Sequence, residues 1–238
     1  MNFAGIQKLT LLDYPERTAC TLFTSGCDLR CPFCHNARLV LDPTNDTQIT
    51  EEEVLTFLKK RSGLLDGVCV TGGEPLLHYT ALREFLHRVR ESGWGYSIKL
   101  DTNGTFPERL SRLIGEGLID YVAMDVKNAL PYYAETAGMA GFDVAPIRES
   151  IELLLSGAVE YEFRTTVVRE YHTVERIREA ARTIRGARRY YLQGFVDSGE
   201  LIGRVDGQEL TAVPPEEVAL MCAAANEFCK TEVRGAAV

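Results

Sequence analysis

The chain has 238 residues, of which 45% are hydrophobic and 25% charged, and its formal net charge is −8. These values are typical of a globular protein and exclude wholesale disorder, while the acidic charge argues against a general binder of nucleic acids or anionic membranes. No apolar run approaches the roughly 18 residues of a membrane helix. The first residues lack a basic segment followed by an apolar one, so we expect a cytoplasmic protein without a signal peptide.

Strands and helices are predicted to alternate six times along the chain. Runs of β-branched and apolar residues predict strands over residues 18–24, 67–71, 96–100, 121–124, 161–168 and 190–192. Helix signals follow these strands; among them Thr50 and Glu53 match a capping box, and Pro107 suits the first turn of a helix. Pro214 and Pro215 are predicted to open a last helix, with one stripe formed by Val218, Met221, Cys222, Ala225 and Cys229.

This alternation implies an α/β fold in which parallel strands are joined by right-handed crossovers. An open doubly wound sheet and a barrel of six units both fit the pattern. We predict one domain over residues 1–238, with an N-terminal extension over 1–18, a core over 19–195 and a C-terminal extension with a helix over 196–238. Both architectures place ligands at the carboxyl ends of the strands. Polar and glycine-rich residues stand at those ends, over 27–34, 71–75, 101–104, 125–127, 164–169 and 193–195.

Three of the seven cysteines stand within eight residues, at Cys27, Cys31 and Cys34. Thiolates bind zinc or iron–sulfur clusters. Structural zinc usually has four protein ligands, whereas three thiolates would leave one iron of a four-iron cluster open to an outside ligand. A zinc knuckle completed by His35 is the alternative. The other cysteines have apolar neighbours and are predicted to be buried thiols: Cys20, Cys69, Cys222 and Cys229.

The cysteine loop, with an aromatic residue before its last cysteine, resembles the signature of the radical S-adenosylmethionine enzymes. The resemblance implies that Cys27, Cys31 and Cys34 bind one [4Fe–4S] cluster. It also implies that the open iron chelates S-adenosylmethionine and that Phe33 lies near the adenine. The usual fold of that family is a partial (β/α)6 TIM-like barrel, so the resemblance favours the barrel over the open sheet.

A Gly-Gly-Glu-Pro segment stands where the same family binds the methionine amine. The resemblance assigns this role to Gly72, Gly73 and Glu74. Glycine lets the backbone approach a ligand closely, and a carboxylate suits an ammonium group. The alternative is a plain turn between a strand and a helix.

Two further segments resemble those of glycyl-radical activating enzymes. They begin at Asp101 and at Asp125, and the resemblance implies that Asp101, Asn103, Asp125 and Lys127 line the cofactor pocket. It also implies that the two aspartates share a monovalent cation, which prefers hard oxygen ligands. The alternative is that Asp101 is a turn residue and that Lys127 only pairs with Asp125.

Residues 3–15, together with residues 31–36, resemble the longer anaerobic ribonucleoside-triphosphate reductase activating proteins. The resemblance implies an oxidoreductase that cleaves S-adenosylmethionine reductively and generates a glycyl radical on the reductase. It implies a flavodoxin or ferredoxin as electron donor and no acid–base catalytic residue. The acidic charge and the lack of long apolar runs predict no nucleic-acid or membrane partner. Three alternatives are an activase of another glycyl-radical enzyme such as pyruvate formate-lyase, a small-molecule enzyme such as 7-carboxy-7-deazaguanine synthase, and a non-enzymatic zinc-binding module.

Overall fold

The computed structural model describes residues 1–43, 48–197, 199–205 and 207–235. The strands are β1 (Asn2–Phe3), β2 (Gly5–Thr10), β3 (Ala19–Thr24), β4 (Ile49–Thr50), β5 (Gly67–Gly72), β6 (Ser97–Thr102), β7 (Tyr121–Asp125), β8 (Glu160–Val167), β9 (Tyr190–Gly194) and β10 (Thr231–Arg234). The α-helices are α1 (Ala37–Leu41), α2 (Glu51–Arg61), α3 (Tyr79–Glu91), α4 (Pro107–Gly115), α5 (Tyr133–Ala137), α6 (Ala145–Leu155), α7 (Val174–Thr183), α8 (Ile202–Val205) and α9 (Pro215–Ala225). Short 3-10 helices cover Pro75–His78 and Leu130–Tyr132.

The described chain forms two compact units. The first unit contains Met1–Asp28, Arg38–Thr102 and Phe106–Val122, and the second contains Leu29–Ala37, Asn103–Thr105 and Ala123–Val238. The prediction of one domain with two extensions stays a prediction. None of the helices in the described ranges is long and apolar enough to cross a membrane.

The first unit is built on a sheet in which β3, β5 and β6 are parallel neighbours. The strand β2 pairs with β3 in the antiparallel sense, and β1 forms a separate antiparallel pair with β4. The predicted apolar face of α3 is buried, and its Phe85 meets Phe3 edge to face at 5.0 Å. The capping box of Thr50 and Glu53 is present at the start of α2 and fixes where that helix begins.

The second unit has a parallel arrangement of its own. In it β9 lies between β8 and β10 and is parallel to both. Two aromatic residues of these strands, Phe163 and Tyr190, are fully buried. The predicted apolar residues of α6 are buried at Ile147, Ile151 and Leu154. Strands and helices alternate here as they do in the first unit, as the sequence pattern predicted.

The structure corrects the prediction of a single stripe on the last helix. The helix α9 ends at Ala225, so Cys229 lies beyond it and does not share a helix with Cys222. The cause is Asn226, whose side-chain amide donates to the carbonyl of Cys222 at 2.9 Å and whose side-chain oxygen accepts from the N–H of Thr231 at 3.0 Å. One side chain thus ends the helix and connects it to β10. Cys20, Cys69 and Cys229 are buried, as predicted, whereas Cys222 is only half-buried.

Candidate cofactor site

In the first unit, the loop that leads to Cys27 is held by the segment that follows β5. Three consecutive carbonyls, those of residues 24–26, each accept a hydrogen bond from residues 73–78. The donors are the N–H of Gly73 to Thr24 (2.9 Å), the N–H of Glu74 to Gly26 (2.8 Å) and Nε2 of His78 to Ser25 (2.7 Å). The Gly-Gly-Glu-Pro segment therefore fixes the path of the chain into the first predicted cluster ligand.

The two glycines of this segment are required by the protein's own backbone. A Cβ on Gly73 would lie 1.8 Å from the carbonyl oxygen of Gly26, far inside van der Waals contact. Gly72 has a φ of 118°, and its Cβ would lie 2.3 Å from the carbonyl oxygen of Thr24. The sequence predicts that these glycines let the backbone approach a ligand. The structure gives a second reason, which is the packing of one loop against another.

Glu74 is fully buried, and one of its carboxylate oxygens accepts two hydrogen bonds. Its Oε1 accepts from the N–H of Leu76 at 3.0 Å and from Oγ1 of Thr102 at 2.9 Å. Thr102 was not predicted as a partner of Glu74. Its place in the Asp-Thr-Asn-Gly segment at the end of the neighbouring strand was the signal, because the ends of parallel strands meet at one edge of a sheet.

In the second unit, Cys31 and Cys34 form one tight turn. The N–H of Cys34 donates to the carbonyl of Cys31 at 3.0 Å. Burial raises the pKa of the Cys31 thiol to about 11, while the charge of Lys127 works in the opposite direction. Burial also raises the pKa of Cys34, again opposed by Lys127. Because metals bind the thiolate, the Lys127 ammonium favours the form of both cysteines that a cluster needs, and the neighbouring Asp125 carboxylate partly offsets this effect.

The segment around these cysteines is fixed by contacts with separate parts of the second unit. The N–H of Arg30 donates to the carbonyl of Ala137 at 2.9 Å. Gly138, at a φ of 67°, lies so close to this loop that its Cβ would be 2.0 Å from the carbonyl oxygen of Arg30. The carbonyl of Pro32 accepts from the N–H of Gly203 at 2.8 Å. These contacts set the course of the loop on each side of Cys31.

Phe33 packs against two rings that the sequence analysis did not assign to the site. Its centroid lies 6.0 Å from that of Tyr171 and 6.4 Å from that of His172. His172 is buried; its Nε2 donates to the carbonyl of Lys127 at 2.9 Å and its Nδ1 accepts from the N–H of Val168 at 3.0 Å. Burial lowers the pKa of His172, so the imidazole is neutral. A neutral histidine thus links the Phe33 ring to the backbone of the Asp-Val-Lys segment.

Asp125 is the centre of a charge cluster at the end of β7. Its Oδ2 accepts from Nζ of Lys127 at 2.8 Å and its Oδ1 from Nε of Arg164 at 3.0 Å. Burial would raise the pKa of Asp125, but the two cations outweigh it and hold this pKa well below its usual range. The pairing of Lys127 with Asp125 was the alternative stated above. The additional partner Arg164 was not predicted, because its approach from β8 depends on strand pairing.

Asn103 is the turn residue of the Asp-Thr-Asn-Gly segment. Its Oδ1 accepts from the N–H of Thr105 at 3.0 Å and from Oγ1 of the same residue at 2.7 Å. Ser150 donates to the carbonyl of Gly104 at 2.7 Å and holds the turn from α6. Asp101 instead ends in an ion pair with the buried ammonium of Lys99. The alternative stated from the sequence was that Asp101 is the turn residue of this segment. In the structure Asn103 has that role.

The predicted site residues divide between the units. The first unit holds Cys27, Gly72, Gly73, Glu74 and Asp101, and the second holds Cys31, Phe33, Cys34, Asn103, Asp125 and Lys127. Among the residues that the structure describes, no group of three or more His, Cys, Asp or Glu side chains is arranged to hold a metal ion. The fit of an iron–sulfur cluster therefore rests on the donor set, which is three cysteines in one loop with a cation acting on two of them.

Comparison with known proteins places this chain in a family. The family model described as the Radical SAM superfamily matches residues 21–184. A putative glycyl-radical enzyme activating enzyme of Methanocaldococcus jannaschii is 34% identical over 198 residues, which are 81% of this chain and 79% of that protein. A 7-carboxy-7-deazaguanine synthase of Halobacterium salinarum is 38% identical over 82 residues, or 34% of this chain and 30% of that one.

A solved structure extends the comparison to the fold. A radical SAM methyltransferase from Sphaerobacter thermophilus aligns with a TM-score of 0.70 and 18% identity, over 95% of this chain and 68% of that one. This likeness confirms the predicted α/β fold, a partial barrel of the radical SAM type. The zinc-binding module without enzymatic activity is set aside, since the chain belongs to the radical SAM superfamily of enzymes.

Proposed function

We propose that this chain activates a glycyl-radical enzyme and that its target is an anaerobic ribonucleoside-triphosphate reductase. The observation that carries the activase assignment is the 34% identity with the Methanocaldococcus protein over 81% of the chain. The choice of target rests on the resemblance of residues 3–15 and 31–36 to the reductase activating proteins. That opening segment includes Phe3 and Tyr14, which are both buried in the first unit.

The cysteines Cys27, Cys31 and Cys34 would hold one [4Fe–4S] cluster. A bound cluster would supply the electron for reductive cleavage of S-adenosylmethionine, with a flavodoxin or ferredoxin as its source, and this chemistry would generate the radical on a glycine of the reductase. The chain's own contribution is to hold the loop and its charges. Lys127 favours the thiolate forms of Cys31 and Cys34, and the Gly73–His78 contacts fix the approach to Cys27.

The remaining proposed residues would bind S-adenosylmethionine. Glu74 suits the methionine amine because its carboxylate is held in place by Thr102 and by the Leu76 N–H before any ligand binds. Asp125 and Lys127 present a fixed pair of opposite charges to a zwitterionic amino acid group. Further proposed contacts come from Phe33, Gly72, Gly73, Asp101 and Asn103.

The test is anaerobic mixing of the reconstituted chain with reductant, S-adenosylmethionine and the reductase. We expect a glycine-centred doublet in the electron paramagnetic resonance spectrum, and its absence when the reductase glycine is changed to alanine. Cys31→Ala should abolish the doublet and cofactor cleavage. Cys222→Ala is the matched control, since this half-buried thiol contacts only the Thr231 carbonyl and Asn226 among its described partners. It should retain both signals, and loss of cleavage in this control would contradict the ligand assignment.

A small-molecule radical SAM enzyme is the second candidate. The match with the Halobacterium 7-carboxy-7-deazaguanine synthase covers 34% of this chain and favours it over other small-molecule classes. Such an enzyme would turn over a purine-like substrate many times per chain. Cofactor cleavage coupled to that turnover, with no doublet on the reductase, would assign the chain to this second class. A doublet on pyruvate formate-lyase alone would keep the activase assignment and change the target.

A further inference from the structure

A lysine is buried inside the first unit, on the strand that carries Asp101. The side chain of Lys99 is 1% exposed and forms an ion pair with Asp101, two residues further along β6. Successive residues of a strand point to opposite faces, so positions 99 and 101 share one face. The pair is therefore built into a single strand, and its geometry does not depend on a flexible loop.

On the β5 side the residues in register with Lys99 carry no charge, and the Asp13 carboxylate beyond them is bound by Oγ1 of Thr21. Across the sheet Lys99 is in register with Cys69 of β5, and Cys69 with Thr21 of β3. Burial raises the pKa of the Cys69 thiol far above its usual range, so this group is neutral. A buried ammonium is stable only when it is paired and hydrogen-bonded. The carboxylate that forms an ion pair with this ammonium is Asp101.

This arrangement disagrees with an alkali-metal ion at the predicted aspartates. At Asp101 a positive charge is already present, and a second cation beside a buried ammonium would be repelled in a medium of low dielectric. At Asp125, considered separately, each carboxylate oxygen already accepts a hydrogen bond from a cation, Lys127 or Arg164. The residues present therefore do not fit a shared monovalent cation.

We propose that Lys99 is a built-in counter-cation for Asp101, which neutralises and orients this carboxylate in place of an alkali-metal ion. Lys99 is thus a positioning residue, and it acts on the cofactor through Asp101. The inference rests on the proposed function where it concerns S-adenosylmethionine, but the ion pair itself can be tested without the cofactor. The consequence is that cofactor binding by this chain is independent of potassium and sodium.

The experiment compares potassium chloride with choline chloride at equal ionic strength, because choline is too large to replace a bound alkali ion. For the reconstituted wild type, titration with S-adenosylmethionine should give the same dissociation constant in both salts. For Lys99→Met we expect binding about tenfold weaker in choline chloride, with recovery in potassium chloride. The double variant Lys99→Met/Asp101→Asn lacks the carboxylate and should show no response to potassium.

Thermal melting of the full chain without cluster gives a second readout. Potassium should raise the melting temperature of Lys99→Met relative to choline, and should leave the wild type and the double variant unchanged. A wild type that needs potassium for cofactor binding overturns the proposal even if Lys99→Met fails to fold. A folded Lys99→Met with no potassium response in either readout also overturns it. A wild type that binds no S-adenosylmethionine in either salt contradicts the proposed function, while melting still tests the ion pair.

Discussion

The two parts of the cysteine loop are held in different ways. In the first unit, the carbonyls of residues 24–26 are all bound by one short segment, residues 73–78. In the second unit, the loop is held by contacts spread over separate segments, which include the end of α5, the helix α8 and the rings beside Phe33. In the first arrangement one segment binds the three carbonyls, whereas in the second the contacts are distributed over several segments.

The two arrangements share one feature. Each contains a glycine that approaches the backbone of the loop more closely than any side chain permits, Gly73 against Gly26 and Gly138 against Arg30. Tight backbone contacts of this kind are sensitive to a single methyl group, since neighbouring backbone atoms cannot rotate away as a side chain can. The comparison predicts that the largest effects come from these glycines and that smaller effects come from the side chains around them.

Gly138→Ala should have the largest effect. The new Cβ would lie 2.0 Å from the Arg30 carbonyl oxygen, and the residue would have to keep a φ of 67°. Strain and overlap together should cost about 4 kcal/mol of the free energy of unfolding, measured by urea denaturation. Gly141→Ala is the control, because it has a φ of 70° with no atom within 4 Å. It should cost about 1 kcal/mol. Equal costs for the two variants would show that the Arg30 contact relaxes freely.

Gly73→Ala should have the second largest effect and cost about 3 kcal/mol of the free energy of unfolding. Its Cβ would overlap a backbone carbonyl, but without the added strain of a left-handed residue. Since this contact holds the approach to Cys27, the iron content after reconstitution should fall as well. Gly115→Ala in the last turn of α4 has no atom within 4 Å and serves as control. It should leave iron content unchanged. Full iron content in Gly73→Ala would show that the ligand loop does not need this segment.

The sequence predicted most of the fold because its signals are local. Apolar runs gave the positions of the six core strands, and the Thr50 capping box gave the start of α2. It did not predict β2 or β10, because a strand in an extension is defined by pairing with distant residues. It also placed Cys229 on the last helix, because the helix ends through a side-chain contact of Asn226 that apolar spacing does not record.

The motifs of the candidate site could be predicted from the sequence, but the contacts among their residues could not. The glycine and aspartate segments were identified, but the reason for Gly73 lies in a loop 47 residues earlier along the chain, at Gly26. The partnership of Arg164 with Asp125 likewise depends on which strands pair. The Lys99–Asp101 pair is different, because spacing of two in a strand already places both on one face. That signal was present in the sequence and was not used.

Asp125→Asn tests the second unit, in which the contacts that hold the loop are distributed over several segments. The change leaves Lys127 and Arg164 without their shared carboxylate, and it should cost about 2 kcal/mol at pH 7. The folded-state pKa of Asp125 is held below its usual range. The Asp125 carboxylate therefore contributes its full share to the free energy of unfolding above pH of about 4. That contribution is lost as the pH falls towards the folded-state pKa. Urea denaturation should therefore show that the difference in free energy of unfolding between wild type and variant becomes smaller from pH 7 to pH 3. A difference that stays constant over this range would contradict the lowered pKa.

His78→Ala should have the smallest effect, because it removes one exposed hydrogen bond, the 2.7 Å contact of Nε2 with the Ser25 carbonyl. The expected loss is about 1 kcal/mol. The backbone bonds of Gly73 and Glu74 remain, so the loop should open locally without global unfolding. The amide of Gly26, which donates to the Leu39 carbonyl at 2.7 Å, reports on that opening through hydrogen exchange.

His87→Ala is the matched control for this last prediction, because His87 is a second histidine of the same region and contacts only the Glu116 carboxylate among its described partners, at 3.2 Å. It should leave exchange at Gly26 unchanged. His78→Gln, whose side-chain amide also donates a hydrogen bond, should restore slow exchange if the bond to Ser25 is what matters. Fast exchange in His78→Gln but not in His87→Ala would assign the effect to the shape of the imidazole, and the loop would then be held by packing of the ring.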